Sequence, residues 1–236
     1  MHTSVGTPFG EGRDVEKSGA PIEVVVSRLV AAPEAVRAAA ALLSDAERQR
    51  ARRFAFDRDA SRFILARSRL RQLLAGRLGV RAQAVEIEYG AHGKPVLSRQ
   101  FADSDLHFNV SHCQHVAAYA FSYGHAIGID VEAVRKISDA DNIAARSFSQ
   151  LENATYRTLK PSEKPLGFFN CWTRKEAFVK AVGDGLSMPL DRFDVTLAPG
   201  EPAKILRAEG TGDASRWRLD SFCPAPGYVA AIASQA

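Results

Sequence analysis

The hydrophobic pattern of this chain changes repeatedly between a helical and a strand period. Apolar residues recur every three or four positions through residues 59–78, which predicts a helix with one face against a core. A second helix is predicted at residues 168–182. Short β-branched or alternating runs predict strands at residues 22–30, 85–89, 106–111, 116–122, 126–132, 193–197 and 228–233. Because these strands and helices follow no regular βαβ alternation, the pattern favours the α+β class.

The remaining stretches carry helix, turn and tail signals. Residues 33–43 are rich in alanine and predict a helix, and Ser44 begins the sequence SDAE, which is typical of a helix N-cap. Residues 142–159 predict a helical region that is broken at Pro161 and Pro165. Gly79 and Gly183 are expected to end the two long helices. Residues 1–21 are polar and without period, so they predict a loose tail.

Composition excludes several classes of protein. The chain has 236 residues, of which 46% are hydrophobic and 25% charged, and such values are typical of globular domains rather than disordered or fibrous chains. No apolar stretch approaches the roughly 20 residues that a membrane helix needs, so we expect no membrane contact. The first twenty residues lack the apolar core of a secretory signal. Since Cys113, Cys171 and Cys223 form no CxxC pair, we expect reduced thiols and a cytoplasmic location.

The positive charge of the chain is concentrated in one segment. Residues 44–81 contain eleven arginines, no lysine and four acidic residues, a net charge of +7, whereas the whole chain carries only +4. A local excess of this kind predicts a phosphate-rich ligand or an acidic partner near the segment.

Two acidic residues occupy alternate positions of a predicted strand, in the sequence GIDVE at 128–132. Because the side chains of a strand alternate between its faces, Asp130 and Glu132 should project together while Ile129 and Val131 face a core. Neighbouring carboxylates repel each other, and a hard divalent cation such as Mg²⁺ would relieve that repulsion. Taken alone, a solvated strand face explains the two acids equally well.

The second long helix carries Glu176 and Lys180, four positions apart with the acid on the N-terminal side. This spacing is typical of a surface ion pair worth roughly 0.2–0.5 kcal/mol, and taken alone it favours that interpretation. Together with Asp130 and Glu132, however, Glu176 would be a third carboxylate and Lys180 a neighbouring cation. Such a set suits phosphoryl transfer, in which positioning and charge stabilisation dominate.

The sequence FNVSHC at 108–113 ends a predicted strand in a serine and a histidine. Adjacent strand residues point to opposite faces, so Ser111 and His112 are poorly placed as a hydrolytic nucleophile and base. Contact with a phosphate group is the better functional interpretation. His112 and His115 lack the companion ligands of a zinc site. The chain also has neither GxxxxGKS/T nor GxGxxG, so the common nucleotide-binding loops receive no support.

Three sequences occur in the order and spacing of one known family. FNVSHC at 108–113, GIDVE at 128–132 and WTRKEAFVKAVGDGLSMPL at 172–190 resemble the 4′-phosphopantetheinyl transferases of the Sfp type. SDAERQRARRF at 44–54, the GKP turn at 93–95 and the FS…E segment at 148–152 are similar to that family as well. The resemblance extends from about residue 22 to the C-terminus.

The resemblance implies a fold, a reaction and its partners. The family has two similar α+β halves related by a pseudo-twofold axis, with the active site between them. This chain would divide near Tyr123 and Gly124 into residues 22–123 and 124–236, after the tail 1–21. The family moves the phosphopantetheine arm of coenzyme A to a serine of an apo acyl or peptidyl carrier protein, releasing adenosine 3′,5′-bisphosphate. Because one chain would build the whole cleft, a monomer is expected.

The resemblance also implies roles for individual residues. Asp130, Glu132 and Glu176 would bind Mg²⁺, with Mn²⁺ as a second possible metal. Glu176 would also take the proton of the serine, directly or through water, and Lys180 would stabilise the pyrophosphate and the leaving group. Coenzyme A would be bound by Arg50, Arg62, Gly93, Lys94, Pro95, Ser111, His112 and Lys180, with the 93–95 turn at its adenine end. Further candidates are Arg53 and Arg67.

Two positions depart from the family pattern. Glu47 stands where some members carry a lysine toward the 3′-phosphate, and Phe63 replaces a hydroxyl residue seen in some. Both departures concern 3′-phosphate binding, for which Arg62 could compensate. They leave the metal and catalytic positions unchanged.

Two other functions stay open from the sequence. A metal-dependent hydrolase of nucleotide-like pyrophosphates would use the same acids, with water in place of the serine. A nucleic-acid-binding module would use the arginines of 44–81 but would leave the acids at 130, 132 and 176 without a role. Because these acids would repel a phosphate backbone, nucleic acid is not an expected partner.

Overall fold

The computed structural model describes residues 13–14, 22–90, 93–183, 188–208 and 213–235. The strands are β1 (Arg13–Asp14), β2 (Glu23–Arg28), β3 (Ile87–Tyr89), β4 (Pro95–Leu97), β5 (Leu106–Cys113), β6 (Val116–Tyr123), β7 (Ile127–Ala133), β8 (Phe193–Val195), β9 (Ile205–Ala208), β10 (Trp217–Phe222) and β11 (Tyr228–Gln235). The helices are α1 (Pro33–Ala40), α2 (Asp45–Ala51), α3 (Asp57–Leu78), α4 (Ala140–Ser147), α5 (Gln150–Thr158) and α6 (Lys164–Val182). None of these helices is both long and apolar enough to cross a membrane.

Two antiparallel sheets, in the orders β1-β2-β6-β5 and β10-β11-β7, lie at the centre of the molecule. One face of the first sheet packs on α3 and the other on the second sheet, whose far face packs on α6. Alternation along β6 produces this layering, since Ala118 and Ala120 face the second sheet while Tyr119 and Phe121 face α3. The result is a four-layer α+β structure with a core shared by the two sheets.

Each half of the chain contains the same buried arrangement. In the first half Ser44 and Glu47 form a capping box at the start of α2, and Glu47 also makes a 2.6 Å ion pair with Arg71 of α3. In the second half Ser149 and Glu152 form the capping box of α5, and Glu152 makes a 2.8 Å ion pair with Lys175 of α6. Each cation also donates to two backbone carbonyls beyond its own helix, those of Ala82 and Val85 or those of Leu190 and Phe193. The α+β fold with two similar halves is therefore confirmed.

The long helices and the central strands agree with the sequence predictions, and both long helices end at a glycine with positive φ, Gly79 at 66° and Gly183 at 91°. The predicted start of α6 at residue 168 was wrong. The helix begins at Lys164, because Pro165 lies in the first turn, where a backbone N–H has no helical partner to lose.

Other boundaries also differ from the predictions. The single helical region at 142–159 is two helices, separated where Ser149 caps α5. Strands β4, β9 and β10 were not predicted. Strands β4 and β9 have only three and four residues and lie outside the two central sheets, whereas β10 lies at the edge of the second sheet and half of its residues are polar. The predicted tail at 1–21 lies outside the described residues, apart from Arg13–Asp14, which pair with β2.

Candidate active site

Strands β5 and β7 lie side by side in the same direction where the two halves meet, and side chains of β5 join them. Three of these side chains accept backbone N–H groups two residues apart along β7. The pairs are Asn109 Oδ1 with Ile129 at 2.9 Å, Ser111 Oγ with Val131 at 3.4 Å, and Cys113 Sγ with Ala133 at 3.4 Å. We call these three side chains the β5 clip. Strand β7 is an edge strand of its sheet, and the β5 clip accepts the backbone N–H groups on its free edge. A neighbouring strand would otherwise supply these hydrogen-bond partners.

Helix α6 crosses the face of β7 that carries Gly128, and it does so at very close range. A Cβ atom at Gly128 would lie 2.1 Å from the carbonyl oxygen of Ala177 and 2.4 Å from the backbone nitrogen of Ala181. Only glycine permits this approach of helix to strand. It brings Glu176 and Lys180 of α6 over the face of β7 that carries the acids.

Asp130 is the most buried of the candidate acids, with 5% of its surface exposed. Its Oδ1 accepts hydrogen bonds from Lys180 Nζ at 2.6 Å and from Ser111 Oγ at 2.9 Å. Its Oδ2 is buried and has no hydrogen-bond partner among the described residues. Because a buried carboxylate oxygen without a partner is costly, this atom is suited to a bound cation or donor.

Glu132 and Glu176 are both half-buried beside Asp130. Burial raises the pKa of each carboxyl above its usual value, and the negative charge of Asp130 raises it further. Lys180 partly offsets the rise in the pKa of Glu176. Glu132 Oε2 accepts a hydrogen bond from Cys113 Sγ at 3.2 Å and lies 3.7 Å from Arg135 Nη1. Burial also raises the pKa of Cys113 to about 11, so its thiol is protonated and can donate.

The three carboxylates fit the chemistry of a hard divalent cation, which prefers oxygen ligands. They repel one another, and one buried oxygen of Asp130 lacks a partner. As they stand, no three metal-binding side chains of the described residues converge closely enough to enclose an ion. The ammonium group of Lys180 instead occupies Oδ1 of Asp130. The metal assignment of these three acids therefore stays a prediction.

The basic segment supplies a second group of functional candidates beside the acids. Arg50 is exposed, and its guanidinium lies 5.3 Å from the ring centre of Phe63 and 5.9 Å from that of Tyr89. Arg67 contacts the same two rings but is buried and donates to Tyr89 Oη at 3.0 Å. Arg62 is half-buried and pairs with Asp59 at 3.4 Å, whereas Arg53 is exposed in the turn after α2.

His112 connects the acidic and basic groups. It lies on the face of β5 opposite Ser111, as the strand alternation predicts. Desolvation lowers the pKa of its imidazole, and four nearby cations lower it further: Lys180, Arg67, Arg50 and Arg62. The structure thus brings the predicted phosphate-binding residues on α2, α3 and β5 close to the lysine that contacts Asp130.

Lys94 has a different environment from the one expected for a residue that only contacts a ligand. Its Nζ donates to the carbonyl oxygen of Lys180 at 2.5 Å and to that of Ile127 at 3.3 Å. The hairpin of the first half is thereby attached to α6 and β7 of the second. A cavity of about 330 Å³ lies beside Lys94 and is lined by both halves, including Leu106 and Gly183.

The two departures from the family pattern have structural roles. Glu47 points into the protein, where it pairs with Arg71 and lies 3.6 Å from Arg67. Phe63 is buried against Phe54 and forms the surface on which Arg50 rests. Neither side chain therefore faces a ligand as a lysine or hydroxyl would.

Sequence reasoning missed Cys113, Asn109 and Tyr89. Tyr89 ends a predicted strand and belongs to none of the motifs, so nothing indicated its contact with two distant arginines. The clip residues did carry a signal, because Asn109, Ser111 and Cys113 are polar at alternate positions of a strand. That pattern marks a polar face of the strand, although it does not say what the face contacts.

Comparison with known proteins agrees with this arrangement. Residues 31–123 match the profile of the 4′-phosphopantetheinyl transferase N-terminal domain, and residues 126–233 match that of the 4′-phosphopantetheinyl transferase superfamily. The 4′-phosphopantetheinyl transferase HetI of Nostoc sp. is 41% identical over 194 residues, which cover 82% of this chain and 79% of that protein. The chain belongs to the 4′-phosphopantetheinyl transferase family.

Two relatives from Bacillus subtilis extend the comparison. A 4′-phosphopantetheinyl transferase is 32% identical, with 74% of this chain and 75% of that protein covered. The transferase Sfp is 33% identical, with 66% of each chain covered. As a phosphopantetheinyl transferase of the Sfp type, this enzyme transfers phosphopantetheine to carrier proteins. Family membership favours that reaction over the pyrophosphate hydrolase and the nucleic-acid-binding module.

Proposed function

We propose that the enzyme takes the phosphopantetheine arm from coenzyme A, with Mg²⁺ or Mn²⁺ as cofactor, and releases adenosine 3′,5′-bisphosphate. The acceptor is a serine hydroxyl of an apo acyl or peptidyl carrier protein. One observation carries the proposal: three carboxylates and Lys180 lie directly beside the cations around His112. A pyrophosphate needs both groups, one to hold a divalent cation and one to bind the remaining phosphate charge.

Asp130, Glu132 and Glu176 are the residues that would hold the metal ion. When bound, the ion would neutralise charge on the pyrophosphate and polarise it toward attack. The unpartnered oxygen of Asp130 and the raised pKa values of both glutamates support this assignment.

Glu176 is the general base of the proposed reaction, acting directly or through water. A carboxyl with a raised pKa accepts a proton more readily than an ordinary one, which suits removal of the serine proton. Lys180 then stabilises the negative charge on the pyrophosphate and on the leaving phosphate. Its ammonium group already lies between the acids and Ser111, 3.4 Å from the hydroxyl of that residue.

The phosphate groups of coenzyme A contact Arg50, Arg62, Ser111, His112 and Lys180 in this proposal. The exposed position of Arg50 and the concentration of cations around His112 support it. The Gly93, Lys94 and Pro95 turn lies at the adenine end, next to the cavity between the halves. Arg53 and Arg67 are supporting positive charges.

We also propose that the enzyme is a cytoplasmic monomer whose halves divide at Tyr123 and Gly124. Residues of both halves build the site within a single chain, which supports a monomer. Three free thiols, Cys113, Cys171 and Cys223, support a reducing compartment. A left-handed turn at Gly124, between β6 and β7, supports the division.

Intact-protein mass spectrometry of an apo carrier protein, incubated with the enzyme, coenzyme A and Mg²⁺, tests the reaction. We expect the carrier to gain one phosphopantetheine, and the gain to disappear with EDTA or in Glu176→Gln. Glu163→Gln, at the half-buried N-cap position of α6 and outside the proposed site, is the matched control and should keep the activity. Release of adenosine 3′,5′-bisphosphate without a carrier would favour a hydrolase. A variant Glu176→Gln as active as the wild type would contradict the assigned base.

A further inference from the structure

The β5 clip makes a second set of hydrogen bonds that reach the proposed metal ligands. Ser111 Oγ donates to Asp130 Oδ1 at 2.9 Å, and Cys113 Sγ donates to Glu132 Oε2 at 3.2 Å. Each of these side chains accepts the N–H that follows the acid it contacts, from Val131 in one case and Ala133 in the other. The same device therefore occurs twice, two residues apart.

Asn109, the third member of the β5 clip, accepts a backbone N–H of β7 but has no acidic side chain beside it on that strand. Asn109 accepts the N–H of Ile129 at 2.9 Å, and the residue before Ile129 is Gly128, which has no side chain to receive a hydrogen bond. Joining the strands thus requires only the acceptor half of the arrangement. The donor half at Ser111 and Cys113 is additional, and it acts on the acids.

Resting on the proposed function, we infer that Cys113 is a positioning residue that orients the carboxylate of Glu132 for metal binding. The thiol is fixed by its position at the end of β5 and by the N–H of Ala133, so it holds Glu132 Oε2 in one place. Within the described residues, the thiol and Arg135 both contact Oε2 rather than Oε1. Groups that orient a ligand in this way typically change metal affinity about 10–100-fold when removed.

Three substitutions separate hydrogen bonding from packing at this half-buried position. Cys113→Ser keeps a hydrogen-bond donor and acceptor, although oxygen is smaller than sulfur. Cys113→Val fills the space but has no donor. Cys113→Ala removes both the donor and the volume of the side chain. We expect Val and Ala to weaken metal binding about tenfold, and Ser to stay within about threefold of the wild type. Cys223→Ala, at an exposed thiol, is the matched control and should have no effect.

The decisive measurement is the dissociation constant of Mn²⁺, from the electron paramagnetic resonance signal of free Mn²⁺ with saturating coenzyme A. Mn²⁺ held by coenzyme A alone is subtracted, and the melting temperature of each variant shows that it is folded. If Cys113 positions Glu132, the wild type and Cys113→Ser bind Mn²⁺ more tightly than Cys113→Val and Cys113→Ala. This role of Cys113 is overturned if all variants bind Mn²⁺ like the wild type, or if Val binds normally and Ser weakly, which would indicate packing.

The same titration distinguishes failure of this inference from failure of the proposed function. A wild type that binds one Mn²⁺ and modifies a carrier, alongside unaffected Cys113 variants, overturns only the role of Cys113. A wild type that binds no Mn²⁺ overturns both, because no metal ligand would then exist for the thiol to position.

Discussion

Lys180 Nζ lies 2.6 Å from Oδ1 of Asp130, so a lysine from the second half's long helix occupies one oxygen of the most buried acid in the site. The contact neutralises Asp130 when no divalent cation is bound. A metal ion bound to Asp130 would lie close to the ammonium group, and the two positive charges would repel each other. The metal ion and Lys180 must therefore compete for the same carboxylate.

Lys180→Met should therefore bind Mn²⁺ more tightly than the wild type in the absence of coenzyme A. The substitution removes the competing charge and keeps most of the apolar length of the side chain. Carrier modification should fall by at least tenfold, because stabilisation of the phosphate charge is lost. Calorimetric titration with Mn²⁺ and a transfer assay check the two effects, and weaker Mn²⁺ binding in the variant would contradict the competition.

Glu176→Gln should stabilise the metal-free protein at neutral pH. The pKa of Glu176 is higher in the folded than in the unfolded chain, so its ionisation costs folding free energy once the pH exceeds the unfolded value of about 4.3. The cost grows as the pH rises through the folded pKa and is then constant. Each kcal/mol relieved corresponds to a melting temperature about 2–4 °C higher.

Melting curves in EDTA from pH 7.5 down to about pH 4 check this sign. The advantage of Glu176→Gln should shrink as the pH falls, because both states then hold the proton. Addition of Mg²⁺ should raise the melting temperature of the wild type more than that of the variant. If Glu176→Gln were less stable than the wild type at every pH, the ionised carboxylate of Glu176 would stabilise the metal-free protein, and the prediction would be wrong.

His112 should take up a proton when coenzyme A binds. Desolvation and four nearby cations lower the pKa of the free imidazole, and a bound phosphate would favour the charged form and raise that pKa. Calorimetry near pH 6.5, in buffers with different ionisation enthalpies, measures the uptake. It should disappear in His112→Gln and persist in His125→Gln, a histidine bonded to a backbone carbonyl in the turn before β7.

Lys94→Met should lower the turnover rate more than it changes the KM for coenzyme A. The ammonium group holds the carbonyl oxygens of Lys180 and Ile127, so its loss displaces the catalytic lysine. A lower melting temperature should accompany the change, while Lys160→Met, at an exposed lysine, should alter neither property. An increase in KM alone would instead support the adenine contact that the family resemblance implies.

Glu47→Ala should destabilise the protein by about 3–5 kcal/mol, because it leaves the buried guanidinium of Arg71 without its counter-ion. The melting temperature should fall by roughly 6–20 °C. Glu34→Ala breaks an exposed pair with Arg37 and should cost less than about 0.5 kcal/mol. Thermal denaturation of the two variants checks the contrast, and equal effects would refute the importance of burial.

The sequence was a good guide wherever a periodic pattern or a capping signal was complete. The apolar spacing of α3 and the SDAE capping box predicted elements that the structure contains, because both signals are local. The start of α6 was misplaced since Pro165 has opposite meanings in the first turn and in the interior of a helix. Strand β10 was missed because only three of its six residues are apolar and, as an edge strand of its sheet, it pairs only with β11.

Within the site, residue identities were accessible from sequence but their partners were not. Asp130 and Glu132 were correctly expected on one face of a strand, because alternation is a property of the strand itself. The contacts of Lys180 with Asp130 and of Cys113 with Glu132 depend on the approach of two halves that are distant in sequence. No local spacing encodes that approach.

The core between the two sheets belongs to neither half alone. Val24, Val116 and Ala118 of the first sheet pack against Ile129 and Ile232 of the second, so a separated half would expose the face that its partner covers. A half of this kind on its own would need a second copy of itself to cover that face, and each contact of such a symmetric pair would occur twice. One chain built of two different halves has no such symmetry. It leaves each half free to change independently, so that one could gather arginines and the other could keep the acids.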